Sequence, residues 1–154
     1  MYWSAKPALT LPQQFLLLRN NPICVGEGSV NHRRLVWNYR VRPTLLSREY
    51  AVQIFYERDD GPKVLVRDPE LSVLAGGRDL PHVYKHPTRL CLYLPGSGEW
   101  IDTMRVDQTF VPWTVTWLFY FEEWLESNDW KGGGEHPGDR PEPVYNRRVR
   151  RGIR

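Results

Sequence analysis

Two stretches of two-residue alternation, followed across a turn by a short apolar run, constrain this chain more than any other feature in it. From Arg34 to Arg42, Leu35, Trp37, Tyr39 and Val41 fall on one side, with Arg34, Asn38, Arg40 and Arg42 mostly on the other. That is the pattern of a strand with one buried face. Tyr50, Val52, Ile54 and Tyr56 repeat the period, and Asp59-Asp60-Gly61-Pro62 supplies a turn before Lys63-Val64-Leu65-Val66-Arg67. Short connections favour neighbours in space, so the three strands are expected to form an antiparallel meander.

The apolar face of such a sheet needs a cover, and two segments have helical spacing. Thr10 can cap a first helix running to Arg19, with Pro12 tolerated in its first turn and Pro22 forbidding continuation beyond Asn20-Asn21. A second helix opens at Pro112-Trp113, carries Trp113, Trp117, Tyr120, Phe121 and Trp124 at helical intervals and ends near Ser127-Asn128-Asp129. Its aromatic stripe reads as core packed on the sheet, without a catalytic role. Between sheet and helix the pattern breaks down over Asp68–Gly77. The Pro- and Gly-rich Leu80–Trp100 stretch is expected to be an ordered loop. Beyond Asp129, Gly132-Gly133-Gly134 and a Pro-rich run to Pro143 read as irregular, with a mobile end. The expected fold class is therefore α+β: a single domain over residues 1–145, followed by a basic tail at 146–154.

Composition sets the function classes. A chain of 154 residues with seven Trp, eight Tyr and five Phe can bury roughly two-thirds of its unfolded surface. No apolar run approaches the roughly 18 residues of a membrane span, and Met1 to Pro7 lacks the pattern of an export signal. A soluble, cytoplasmic protein with no membrane partner is expected. The formal charge of +3 is concentrated in Arg147, Arg148, Arg150, Arg151 and Arg154. The remainder shows no basic stripe, so a nucleic-acid partner is not indicated. Cys24 and Cys91 match no zinc spacing, and no metal or other cofactor is expected.

Chemistry concentrates on Arg89-Leu90-Cys91-Leu92-Tyr93-Leu94-Pro95. In an extended chain the leucines would face the core and the Cys91 thiol would point away. Arg89, with His82 and His86 upstream, would favour the thiolate, the form that attacks an acyl carbon. A cysteine among leucines is also read as a small buried hydrophobe, and spacing alone leaves both readings open. Cys24, between apolar residues in Pro22-Ile23-Cys24-Val25, reads as structural. Asp102 reads as solvated, or as an orienting group for a histidine or an incoming lysine. His136 follows the triple Gly and would reach a cleft if the segment folded back; the favoured reading is that the glycines permit a tight turn packing Trp130 on the domain.

The order of elements, with His86-Pro87-Thr88 ahead of Leu90-Cys91-Leu92 and a helix beyond, resembles the ubiquitin-conjugating-enzyme fold. In that family a His-Pro-Asn triplet precedes a cysteine that carries an acyl group as a thioester. Here Thr88 stands where the family has Asn, and the stretch to the cysteine is shorter. Three stretches resemble the bacterial branch found in type II CBASS anti-phage operons. They are Leu80-Pro81-His82-Val83-Tyr84 with Leu90-Cys91-Leu92-Tyr93 and Glu99-Trp100; Val111-Pro112-Trp113 with Trp117-Leu118 and Tyr120 to Leu125; and Trp130 to Pro137. The resemblance implies that Cys91 accepts the C-terminal carboxyl of a cGAS-like nucleotidyltransferase as a thioester and passes it to an amine, with another protein as a candidate acceptor. Backbone N–H groups near Cys91, Thr88 or a histidine are then candidates to stabilise the oxyanion. His82 is the first side-chain candidate and His86 the second. The competing readings are a non-catalytic binding module of the same fold, a thiol hydrolase using Cys91, and a scaffold recruited through its Arg tail.

Overall fold

The computed structural model describes residues 4–134; His136, the boundary at 145 and the basic tail lie outside the described residues. Helix α1 spans Leu11–Asn20, and both of its ends follow from local chemistry. The Thr10 hydroxyl accepts from the Gln13 amide at 3.2 Å, while Gln13 Oε1 accepts from the Thr10 amide at 2.8 Å, a reciprocal capping box. At the far end Pro22 has no amide with which to extend the helix. The Asn21 side chain accepts from the Ile23 amide at 3.0 Å and opens a 3-10 turn over Pro22–Cys24.

Strands β1 (Gly26–Val30), β2 (Arg34–Val41), β3 (Tyr50–Glu57) and β4 (Lys63–Asp68) form one antiparallel sheet in sequence order. The three expected strands are β2 to β4, with Trp37 opposite Ile54 and Ile54 opposite Val64. The inward residues Leu35, Trp37, Tyr39, Tyr50, Val52, Ile54 and Tyr56 are buried. Strand β1 adds a fourth member that alternation did not predict. Its Gly-Glu-Gly-Ser-Val sequence is almost wholly exposed, so backbone pairing with β2 holds it, not a buried face. A Cβ at Gly26 or Gly28 would lie 1.9 Å from the carbonyl oxygen of Asn38 or Val36. Only glycine permits that approach.

Helix α3 spans Phe110–Ser127, opening two residues before the expected start at Pro112. Phe110, Val111, Thr114, Trp117, Leu118, Phe121 and Trp124 are buried in the same core as the inward face of the sheet. Each large side chain removed from water there contributes about 1.5–3 kcal/mol. Polar bonds fix the helix on the sheet: Glu122 accepts from the Ser47 hydroxyl at 2.6 Å and from the Tyr50 hydroxyl at 2.9 Å. At the C-terminus Asn128 takes the left-handed conformation, with φ 58°. Arg78 lies over the Trp124 ring at 4.3 Å and donates to the Leu125 carbonyl at 3.2 Å. A cation at this end of a helix complements the backbone dipole.

The connection between sheet and α3 is more ordered than its sequence pattern implied. One helical turn, α2 (Leu71–Leu74), buries Leu71. A two-stranded hairpin of β5 (Val83–Tyr84) and β6 (Arg89–Leu90) lies inside the stretch expected to be loop. Among the described residues no helix is long and apolar enough to cross a membrane.

Helix α1 is tied to the segment before α3 by buried polar groups. Gln14 donates to the Met104 carbonyl at 2.8 Å and accepts from the Val106 amide at 2.9 Å. The buried Asp107 carboxylate accepts from Arg105 at 2.7 Å and from Asn21 at 2.9 Å. Burial alone would raise the Asp107 carboxyl, but the hydrogen bonds from Arg105 and Asn21 outweigh it and hold the group below its ordinary value. A folded-state value below the unfolded one makes this contribution complete above about pH 4 and lost as pH falls through the folded value. Asp107→Asn is expected to cost about 1–3 kcal/mol at pH 6, because it takes the charged acceptor from Arg105. Urea unfolding from pH 6 to pH 3 should show the gap to wild type narrowing; a constant gap would contradict the assignment.

Candidate functional site

Cys91 follows β6 directly. The hairpin sets Val83 opposite Leu90 and Tyr84 opposite Arg89. One further bond, from the Cys91 amide to the His82 carbonyl at 3.0 Å, continues the pairing. The same carbonyl accepts from the Trp117 indole N–H at 3.0 Å. Hairpin, cysteine and α3 thus meet at one oxygen atom. His82 itself holds a left-handed φ of 47°, a conformation that costs a residue with a Cβ about 1 kcal/mol and persists only where its surroundings enforce it.

The expected alternation through Leu94 stops where the pairing stops. Leu90 is buried, but Leu92 and Leu94 are only half-buried and line a cleft together with Cys91. Tyr93, expected to point away from the core, packs edge-on to Phe110 at 5.7 Å and beside Trp113 at 6.2 Å. Its hydroxyl would lie 2.9 Å from a Cβ at Gly61, so a side chain in the β3–β4 turn there would push on the Tyr93 ring. Period-2 facing holds only within a paired strand, and β6 is two residues long.

The cleft has a volume of about 420 Å³. One wall comes from α3, where Trp113, Thr116, Trp117 and Tyr120 line it; the other carries His82, Cys91 and the Gly132–Gly134 turn. The aromatic stripe therefore does two jobs: Trp117 is buried core and cleft wall at once, while Trp113 and Tyr120 are half-exposed wall. The His82 ring is buried and stacks on Trp130, with centroids 4.9 Å apart and planes 24° from parallel. Trp130 also rests against Trp117 at 5.6 Å, and its indole N–H donates to the Gly133 carbonyl at 3.1 Å. Gly133 and Gly134 have φ of 66° and 81°, so the turn that folds over Trp130 requires glycine, as the triple Gly suggested. Glu99 is the carboxylate of this lining, and it accepts from the Leu94 amide at 2.7 Å.

The other candidates lie apart from the cleft. His86 is exposed in the β5–β6 turn, with φ 62°, and Thr88 beside it is exposed as well. Neither contributes to the lining around Cys91. Asp102 is exposed beyond Trp100, where its charge adds to the effect of burial in raising the Tyr56 hydroxyl to about 12. One side chain near the sulfur, Tyr84, was given no role from the sequence, and Arg89, expected to favour the thiolate, lies beside it. Tyr84 brings its hydroxyl to 3.7 Å from Cys91 Sγ, and Arg89 stacks on the Tyr84 ring. Their pairing depends on the hairpin register, which no local pattern encodes. Among the described residues no group of three or more His, Cys, Asp and Glu side chains is placed to hold a metal ion.

The two cysteines contrast sharply. Cys24 is fully buried, and its thiol donates to the Leu18 carbonyl at 3.5 Å. Burial, then the charge of Asp107, pushes that thiol up to about 11. Cys91 is half-buried at the cleft. Brief treatment of the folded protein with iodoacetamide near pH 8 is therefore expected to label Cys91 at least about tenfold faster than Cys24. Peptide mass spectrometry reads the ratio, and equal labelling would contradict the contrast.

Residues 13–137, most of the chain, match the family model of the type II CBASS E2 protein. Among curated proteins none matches the chain. With the match extending from α1 through the sheet, Cys91 and α3 to the segment beyond Trp130, this chain belongs to the type II CBASS E2 protein family.

Proposed function

We propose that the protein is a ubiquitin-conjugating-like acyl carrier with Cys91 as its nucleophile. The sulfur takes the C-terminal carboxyl of a cGAS-like nucleotidyltransferase as a thioester and delivers it to an amine, forming an amide or isopeptide bond and regulating anti-phage signalling. The observation that carries this reading is the position of Cys91: half-buried, at the end of a paired strand and in the wall of a cleft. A thioester keeps the acyl carbon activated, and a thiolate departs readily when an amine attacks. The walls suit the task, since aromatic rings and glycine backbone can enclose an extended peptide tail and limit the access of water. The fold supports it as well: α1, an antiparallel meander, an extended segment bearing the cysteine and a C-terminal helix follow the order of the ubiquitin-conjugating enzymes. His82 and His86 enter this reading unequally. The ring of His82 shares the cleft with Cys91, whereas His86 lies in the exposed turn.

Intact mass spectrometry after co-expression with the nucleotidyltransferase of the same operon tests the proposal. Wild type is expected to carry a reductant-labile adduct, Cys91→Ala none, and Cys91→Ser a reductant-resistant one. Cys91→Ala should cost at most about 1 kcal/mol in urea unfolding, because a small thiol at a half-open site leaves little cavity. Unmodified wild type that still binds the partner would favour a binding module. Turnover of a simple acyl thioester to free acid, without transfer, would favour a thiol hydrolase.

A further inference from the structure

Acyl transfer through Cys91 needs its sulfur as an anion twice, once to attack and once to leave. A half-buried anion is costly without a hydrogen-bond donor. With the thiol protonated, Cys91 Sγ–H donates to the Tyr84 oxygen at 3.7 Å. A phenol can reverse such a bond: once the thiol loses its proton, the Tyr84 O–H donates to the sulfur. The Tyr93 carbonyl, 4.0 Å from the sulfur, can only accept.

Two features hold Tyr84 in place and strengthen it. Arg89 sits directly across the hairpin, with its guanidinium carbon 5.3 Å from the Tyr84 ring centroid. A cation over the π-face draws electron density from the ring and makes its O–H a better donor. The bond from the Cys91 amide to the His82 carbonyl pins the register that brings hydroxyl and sulfur together. Among the described residues, the ionisable groups around the sulfur include Tyr84 from β5, Arg89 from β6 on the Tyr84 ring, His82 and Glu99 along the cleft, and Tyr93 close by in the chain. The Tyr93 hydroxyl is raised by burial, then by the charges of Asp60 and Cys91.

We propose that the Tyr84 hydroxyl is the donor that holds the Cys91 sulfur as a thiolate, a role that rests on the acyl-carrier reading. In capture, the thiolate attacks the carbonyl carbon of an activated acyl donor, a thioester or acyl adenylate. The C–S bond forms, and the leaving group departs with its electron pair. In transfer, the amine nitrogen attacks the same carbon, the C–S bond breaks and its pair returns to sulfur, while the surplus amine proton goes to water. Tyr84 gives up its bond to sulfur in the first step, resumes it in the second, and ends the cycle unchanged.

The test is the pH profile of iodoacetamide alkylation at Cys91 in the full chain, resolved by peptide mass. Tyr84→Phe keeps the ring and removes only the hydroxyl, and it is expected to raise the midpoint by about one pH unit. A folded Tyr84→Phe protein whose profile superimposes on wild type overturns the proposal. A second measurement leaves Tyr84 intact. In protein labelled with 13Cζ-tyrosine, the Tyr84 resonance should move through the thiol midpoint in wild type and stay still there in Cys91→Ser. A resonance that is flat in both overturns the proposal as well. Neither readout uses an acyl donor, so failure here leaves the thioester trap standing, and failure of the trap leaves both readouts intact.

Discussion

The backbone carbonyl of His82 is the point on which the site depends. It accepts from the Cys91 amide and from the Trp117 indole, each at 3.0 Å. A carbonyl has two lone pairs, and both are used here. Each bond contributes about 1 kcal/mol net, and leaving a buried partner unpaired costs more than the bond gained. The geometry is therefore held from two sides: the hairpin places Cys91 and α3 places Trp117. This accounts for a residue with a Cβ being kept in the left-handed region. In this conformation the carbonyl faces both donors.

Around that point the protein has built a mostly apolar cleft from residues that also serve the core. Trp117 lies stacked on Phe121 at 5.3 Å, and its indole edge faces the site. His82, Trp130 and Trp117 form a continuous aromatic contact from the cleft wall into the helix. Stability and site geometry therefore share the same side chains. The polar anchors of the scaffold, Glu122, Gln14 and Asp107, lie outside the cleft lining.

Much of the fold could be read from the chain alone. The alternation in β2 and β3 predicted their facing, the Asp59-Asp60-Gly61-Pro62 turn predicted β4 as the neighbour of β3, and Thr10 and Pro22 predicted the ends of α1. Strand β1 could not be read in this way, because its pairing rests on glycine backbone against β2 and buries almost no side chain. The α3 stripe was assigned wholly to the core, yet Trp113 and Tyr120 face the cleft. A helical period identifies an apolar stripe, but it does not say how wide the covering partner is. Leu92 still packs against the core, but Leu94, expected to face it as well, does not, because the two-residue period was extended past the end of β6.

Residue type, neighbours and element order, which are properties of the chain itself, were enough to single out Cys91 as the candidate and to read Cys24 as structural. The surroundings of Cys91 are of a different kind. Tyr84 and Arg89 meet across a turn, Trp117 reaches His82 from 35 positions away, and Trp130 closes over the histidine from beyond the last helix. Such contacts join segments that sequence spacing leaves unrelated. They exist only once burial of the sheet face and the α3 stripe has brought these segments to one place.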